Sequence, residues 1–172
     1  MKNVFGYLAV AFFLTTCKPA PEQQSAPGTI ATLEAAREIM NARTCTLVTI
    51  SANAMPYARV MDPLEPDENF VVWLATNPRS RKVEHLTANP NVVLHYTDRG
   101  DNGYVSLYGE AELVRDSTAI KEHWKPEWNP FYPNHEKDCV LIKVKPVRLE
   151  VINYRAGITG DPLTWQPTII TF

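Results

Sequence analysis

Proline sets the segment lengths of this chain. Fourteen prolines stand against seven glycines, and Pro56, Pro63, Pro78 and Pro90 fall at the ends of apolar runs. A residue without an N–H extends neither a helix interior nor a central strand, so short strands joined by stiff turns follow and an all-helical fold does not. With 172 residues, 45% of them hydrophobic and 21% charged, the chain has the apolar surface for one core. The formal charge of -2 and a pI near 6.1 supply no basic field for a nucleic-acid backbone. Nucleic acid is therefore not an expected partner, and any phosphate must be held locally.

Periodicity divides the rest. Leu33, Ala36, Ile39 and Met40 share one helical face, with Thr32 as the expected N-cap and Glu34 in the first turn. Residues 45–50 and 56–61 read as a hairpin around Ala52-Asn53-Ala54, and 62–69 as a loop rich in proline and acid. Residues 70–75 are nearly all apolar and predict a strand buried on both faces. Ser80 is placed to cap a helix over 81–88 that ends at Asn89-Pro90. Strands over 91–96 and 104–114 flank a tight turn at 98–103, a third helix is expected over 116–124, and two last strands over 140–144 and 148–152 precede an irregular tail. Many short strands with helical plugs suit a closed or nearly closed antiparallel barrel, because closure removes exposed edges. No internal repeat is present.

The sharpest chemical signal is Thr76-Asn77-Pro78-Arg79-Ser80-Arg81-Lys82, where a strand end passes into a helix start. Free N–H groups and the positive end of the helix dipole favour an anion there, and Ser80, Arg81 and Lys82 add a hydroxyl and fixed charge. Cations in a first helical turn oppose the dipole, so a bound phosphate would relieve them. Without a ligand the same residues describe a solvated turn. His85, His95, His123 and His135 are scattered without ligand spacing, so no metal site is expected.

This run, following an aromatic-rich strand and followed by Asn89-Pro90, resembles the flavin mononucleotide (FMN) phosphate segment of pyridoxamine-phosphate oxidases and their relatives. Arg59 lies where that family places a phosphate-binding arginine. Tyr104-Val105-Ser106-Leu107-Tyr108-Gly109-Glu110-Ala111-Glu112 is similar to a later strand of the family, and Trp124-Lys125-Pro126 with Phe131-Tyr132-Pro133 is similar to its general stress protein branch. The resemblance spans residues 33–152. It implies a mainly β (α+β) fold, an FMN-binding split β-barrel with short flanking helices, and a homodimer with FMN in the groove between subunits. Carried over, Arg59, Thr76, Ser80, Arg81 and Lys82 hold the phosphate, the backbone at Val60 and Met61 runs along the isoalloxazine ring, and Tyr104 or Ser106 approaches the flavin. Trp73 and Tyr108 are expected to serve packing.

Departures narrow the activity. True pyridoxamine-phosphate oxidases carry an arginine and histidine pair near the carboxyl terminus, and this chain has no histidine after His135. Asp62-Pro63 stands where a second-strand lysine is found in those enzymes. The expected function is therefore that of a flavin-dependent oxidoreductase or flavin carrier, not vitamin synthesis. A binding module that takes haem or a deazaflavin in the same groove is the alternative, and a structural lipoprotein with an empty groove is the third reading.

The amino terminus is a separate object. Lys2 followed by the apolar run 4–14 has the layout of a signal peptide and is too short to span a bilayer as a helix. Leu14-Thr15-Thr16-Cys17 resembles a bacterial lipobox, which implies a lipidated Cys17 and an export route ending on the periplasmic or extracytoplasmic face of a membrane. An ordinary secretory signal is the alternative. Residues 1–17 are thus a signal, 18–29 a proline-rich tether and 30–172 the folded domain. Cys45 and Cys139 remain, either bridged or as buried thiols. Replacing Cys17 with serine is expected to abolish labelled fatty-acid incorporation and to release the protein from the membrane fraction; unchanged labelling rejects the lipobox.

Overall fold

A computed structural model describes residues 27–172 apart from Asp101. The signal, lipobox and most of the tether expected above fall on residues 1–26 and lie outside the described residues. In chain order the elements are α1 (Pro27–Met40), β1 (Cys45–Ile50), β2 (Pro56–Met61), β3 (Val72–Thr76), α2 (Arg81–Ala88), β4 (Asn91–Thr97), β5 (Gly103–Val114), α3 (Ser117–Glu122), a 3-10 turn (Pro126–Trp128), α4 (His135–Asp138), β6 (Val140–Asn153) and β7 (Thr168–Thr171). No helix among the described residues is long and apolar enough to cross a membrane.

All seven strands join one antiparallel sheet in the order β2-β1-β4-β5-β6-β3, with β7 paired to β6. The two ends of that order meet. Pro63, just after β2, bridges Leu74 of β3, and the Leu64 N–H donates to the Trp73 carbonyl at 2.8 Å. The sheet thereby closes into a barrel, as expected from the strand pattern.

Alternation fills the barrel. Cys45, Leu47 and Thr49 of β1 point inward and meet Leu94, Leu107, Ile142, Leu149 and Val151, with Ala36, Ile39 and Met40 of α1 and Leu86 of α2 closing the core. Leu47, Leu74, Leu94, Leu107 and Leu149 are wholly buried, and truncating any one to alanine should cost about 2–5 kcal/mol. A second core lies outside the barrel, where the segment from α3 to α4 covers β3. Trp73, Ala75, Ile120, Trp128, Cys139 and Leu141 pack there. β3 is accordingly buried on both faces, as its apolar run implies. Trp73 does serve packing, stacked on His123 with ring centroids 3.8 Å apart. Tyr108 is half-buried, its hydroxyl donating to Glu150 at 3.1 Å and its ring under the Arg148 guanidinium.

Three expectations are corrected. First, α1 begins at Pro27, within the stretch read as tether; Thr32 is inside the helix, donating its hydroxyl to the Gly28 carbonyl at 2.8 Å instead of capping. Second, the two strands expected over 140–144 and 148–152 are one strand, β6, which runs through Pro146. Opposite Pro146 the register shifts at Tyr108/Gly109. This bulge accommodates a residue that cannot donate to the ladder. Gly109 is required there, because a Cβ would sit 2.4 Å from the Lys145 carbonyl oxygen. Third, the tail contains β7, whose pairing with β6 over Arg148–Thr171 to Val151–Thr168 makes it a strand.

Cys45 and Cys139 are both free and buried, one in each core. Burial pushes the Cys45 thiol up to about 12 and the Cys139 thiol up to about 11.

Candidate functional site

The end of β3 and the start of α2 form the centre of the site. Thr76, buried at 2% exposure, ends β3, and Asn77 makes the turn, accepting the Arg79 N–H on its side chain at 2.8 Å and the Ser80 N–H on its carbonyl at 3.0 Å. Ser80 occupies the N-cap position with extended backbone, but its side chain makes no capping bond. Its hydroxyl lies 3.2 Å from that of Thr76. The expected cap is therefore not formed, which leaves the first-turn N–H groups of α2 without a side-chain acceptor. Lys82 folds back over the same point, donating from Nζ to Thr76 Oγ1 at 2.9 Å.

Arg59 arrives from β2. Its NH1 group donates to Thr49 Oγ1 on β1 at 2.6 Å. Arg81 lies with its guanidinium carbon 5.4 Å from the centre of the Tyr57 ring. These cations feel one another. Burial and then the charge of Arg81 lower the pKa of Arg59, and burial and then the charge of Arg59 lower that of Lys82. None of Arg59, Arg81 and Lys82 is ion-paired with a carboxylate among the described residues. Two partly buried cations, Arg59 and Lys82, and the exposed Arg81 at the helix start have no carboxylate partner among the described residues, and a phosphate dianion fits that deficit in charge and in donor type.

Beside this cluster lies a cleft of about 200 Å³ lined by Val60, Met61, Asp62, Thr76, Lys82 and the aromatic residues Trp128, Phe131 and Tyr132. Val60 and Phe131 are more than two-thirds exposed, at 71% and 73%, and form an apolar lip. The Asp62 carboxylate is engaged elsewhere: Lys125 donates to one oxygen at 2.5 Å and the Trp128 indole to the other at 3.2 Å. Lys125 also donates to the Pro63 carbonyl at 2.9 Å, so this knot straps the segment after α3 across the mouth of β2. Burial pushes the Tyr132 hydroxyl up to about 12, keeping it a neutral donor.

The structure thus brings together Arg59, Val60, Met61, Thr76, Ser80, Arg81 and Lys82. It does not bring Tyr104 and Ser106 to them within one chain. Both lie on β5, which β1 and β4 separate from β2. Ser106 hydrogen-bonds His95 Nδ1 at 2.9 Å, and Tyr104 lines a different cavity with Ile152, Tyr154 and Trp165. Sequence reading missed Thr49, His85, Asp62 and Lys125. Thr49 alone left a local signal, as a polar residue on the inward row of an apolar strand.

A closed antiparallel barrel with a cationic strand-to-helix junction beside an aromatic cleft defines the class, a split-barrel domain. Residues 31–156 match the family described as pyridoxamine 5'-phosphate oxidase like, and the chain belongs to that family. A curated relative, the pyridoxine/pyridoxamine 5'-phosphate oxidase of Vibrio parahaemolyticus, is 26% identical over 115 residues, 67% of this chain. The chain spans half the length of that relative. General stress protein 26 from Bacillus anthracis shares the fold at a TM-score of 0.63 and 23% identity, over 81% of this chain and 97% of that one. An F420 reductase, with a TM-score of 0.54 and 21% identity, covers 66% of this chain and 94% of its own. A heme binding protein from Mycobacterium smegmatis, with a TM-score of 0.58 and 16% identity, covers 80% of this chain and 55% of its own. At these identities the structural likeness establishes the fold.

The charge cluster has a consequence for stability. A lysine with a pKa below its ordinary 10.5 in the folded state binds its proton more tightly when unfolded, so stability rises as pH climbs through that window and the charged side chain opposes folding below it. Lys82→Met is expected to raise the melting temperature of the ligand-free protein at pH 7 by about 1–3 °C. The gain should shrink as the pH approaches 10.5, a trend that differential scanning calorimetry across pH will show.

Proposed function

We propose that this chain is an FMN-binding flavoprotein acting as a flavin-dependent oxidoreductase, with a role other than pyridoxamine-phosphate oxidation. The observation that carries the proposal is the gathering of Arg59, Arg81 and Lys82 about the junction of β3 and α2, where Lys82 bonds Thr76, with none of the three ion-paired to a carboxylate among the described residues. Arginine forks and a helix start suit a phosphate dianion, to which each charge-assisted hydrogen bond contributes. In this reading Arg59, Thr76, Ser80, Arg81 and Lys82 hold the phosphate, Val60 and Met61 flank the ring, and Trp128, Phe131 and Tyr132 keep water from one side of the cleft. The flavin, when bound, supplies hydride or single-electron chemistry. The cationic cluster favours a phosphate-bearing ligand over haem, the alternative that the shared barrel leaves open. The visible absorbance of the purified protein distinguishes them.

The groove is proposed to be completed by a second copy. A cleft of about 200 Å³ is smaller than the roughly 300–1,000 Å³ of ordinary ligand pockets, and Tyr104 and Ser106 reach a flavin only from another subunit. Anchoring through a lipidated Cys17 is proposed alongside. Light scattering on the chain without residues 1–17 is expected to report two chains per particle. A monomer that still binds FMN tightly removes the two-subunit site.

Substituting both Arg81 and Lys82 with alanine removes two charge-assisted contacts of about 1.5–3 kcal/mol each before non-additivity. FMN affinity is expected to fall at least about a hundredfold, while riboflavin, which lacks the phosphate, is scarcely affected. Equal FMN affinity in the folded variant and the parent rejects this phosphate site.

A further inference from the structure

Arg59 is held in its place without a counter-charge. Burial and Arg81 both disfavour its cation, and its side-chain hydrogen bond runs to a neutral group, Thr49. In the β1/β2 register Thr49 lies opposite Tyr57, so Arg59, two residues along on the same face, reaches it diagonally. Thr49 is wholly buried. A guanidinium only donates, so Thr49 Oγ1 accepts from Arg59 and its single proton is free for another acceptor. His85 Nδ1 lies 2.9 Å from that hydroxyl, within reach of the proton. His85 comes from α2, is 6% exposed, and packs its ring against Tyr57 with centroids 4.7 Å apart. If the Thr49 proton goes to Nδ1, that nitrogen carries a bare lone pair, and His85 is neutral with its proton on Nε2.

We propose that Thr49 and His85 are positioning residues for Arg59, a buried neutral relay that fixes the guanidinium in the anion site without cancelling its charge. The proposal rests on the phosphate reading above. A carboxylate at position 49 would hold Arg59 as firmly, but would neutralise it and occupy its fork. A hydroxyl engages one N–H and leaves the remaining donors of the guanidinium for a ligand. His85 completes the arrangement, because without an acceptor the Thr49 proton would be stranded in a site from which water is excluded. It also couples the two halves of the cradle: His85 rides on the helix whose first turn carries Arg81 and Lys82, while Thr49 and Arg59 belong to the β1/β2 hairpin.

The test compares FMN and riboflavin affinities, by fluorescence titration, for the parent protein, Thr49→Val, Thr49→Ser, Arg59→Ala and the Arg59→Ala/Thr49→Val double variant. Valine removes both hydrogen bonds at nearly constant volume, and serine keeps the hydroxyl. Thr49→Val is expected to weaken FMN binding about tenfold, the worth of one hydrogen bond to a charged group. Riboflavin should change by less than about twofold, and Thr49→Ser should restore FMN binding to within about threefold of the parent. In the Arg59→Ala background Thr49→Val should cause no further loss. A loss that riboflavin shares, or that persists undiminished without Arg59, makes Thr49 a structural residue and overturns the relay while the phosphate site stands. Unchanged FMN affinity in Arg59→Ala overturns the role of Arg59 on the phosphate, and the relay with it. His85→Phe keeps the ring against Tyr57 and removes the acceptor, so it decides the matter if Thr49→Val does not fold. An FMN-selective loss of about three- to tenfold is expected of it, and parental FMN affinity overturns the proposal.

Discussion

The barrel depends on one strand continuing where a proline invites it to stop. β6 is 14 residues long. It pairs with β5 along its length, with β3 through its first half and with β7 through its second. Had it broken at Pro146, β5 alone would join the half that carries β3 to the half that carries β7. The bulge at Tyr108/Gly109 keeps it whole by letting the chain bend around a residue with no N–H to donate. Once β6 is continuous, β3 is fixed at the sheet's end, closure through Pro63 and Leu74 follows, and Thr76 is delivered beside the hairpin that carries Arg59. The cation cluster is therefore a product of sheet order. Nothing in the local sequence around residues 76–82 places Arg59 near it.

Elements bounded by strong local stops were legible in the sequence. β1, β2, α2 and β4 are short and lie between turn residues or prolines, and β5 starts at a glycine turn, so side-chain period and chain chemistry agree. The errors arose where a distant partner overrides the local signal. Pro146 reads as a stop unless Gly109 is known to lie across from it. The segment Thr168–Thr171 is too short to specify a strand, and acquires that state only from the edge that β6 offers. Thr32 carries the chemistry of a cap, yet in α1 its hydroxyl bonds back one turn within a helix that starts earlier.

The candidate site divides in the same way. Its charged side was visible as residue types at a strand-to-helix junction, because cations in a first helical turn conflict with the dipole and ask for a reason. What supports the charges was not visible. Thr49, His85, Asp62 and Lys125 act through partners between 10 and 63 residues away in the chain; Arg59 meets Thr49 within the β1/β2 hairpin, while His85 and Lys125 reach their partners only by packing of distant segments. The aromatic cleft shows the same limit: Phe131 and Tyr132 were recognised by resemblance, while their position against Val60 and Met61 comes from the strap that Lys125 and Asp62 tie across the β2 mouth.

The burial of both thiols bears on the reactivity of the folded chain. With burial pushing the Cys139 thiol up to about 11, the thiol form dominates at neutral pH. Thiolate is the species that attacks disulfides, adds to electrophiles and yields to peroxides. Cys139 lies immediately before the strand that pairs with Thr76, so the sulfur beside that pairing is one of the two that burial keeps protonated. Sealed in separate cores, Cys45 and Cys139 stay unpaired and shielded from solvent. The folded domain therefore offers thiol reagents no ready target, and its thiols stay chemically silent while the chain is folded.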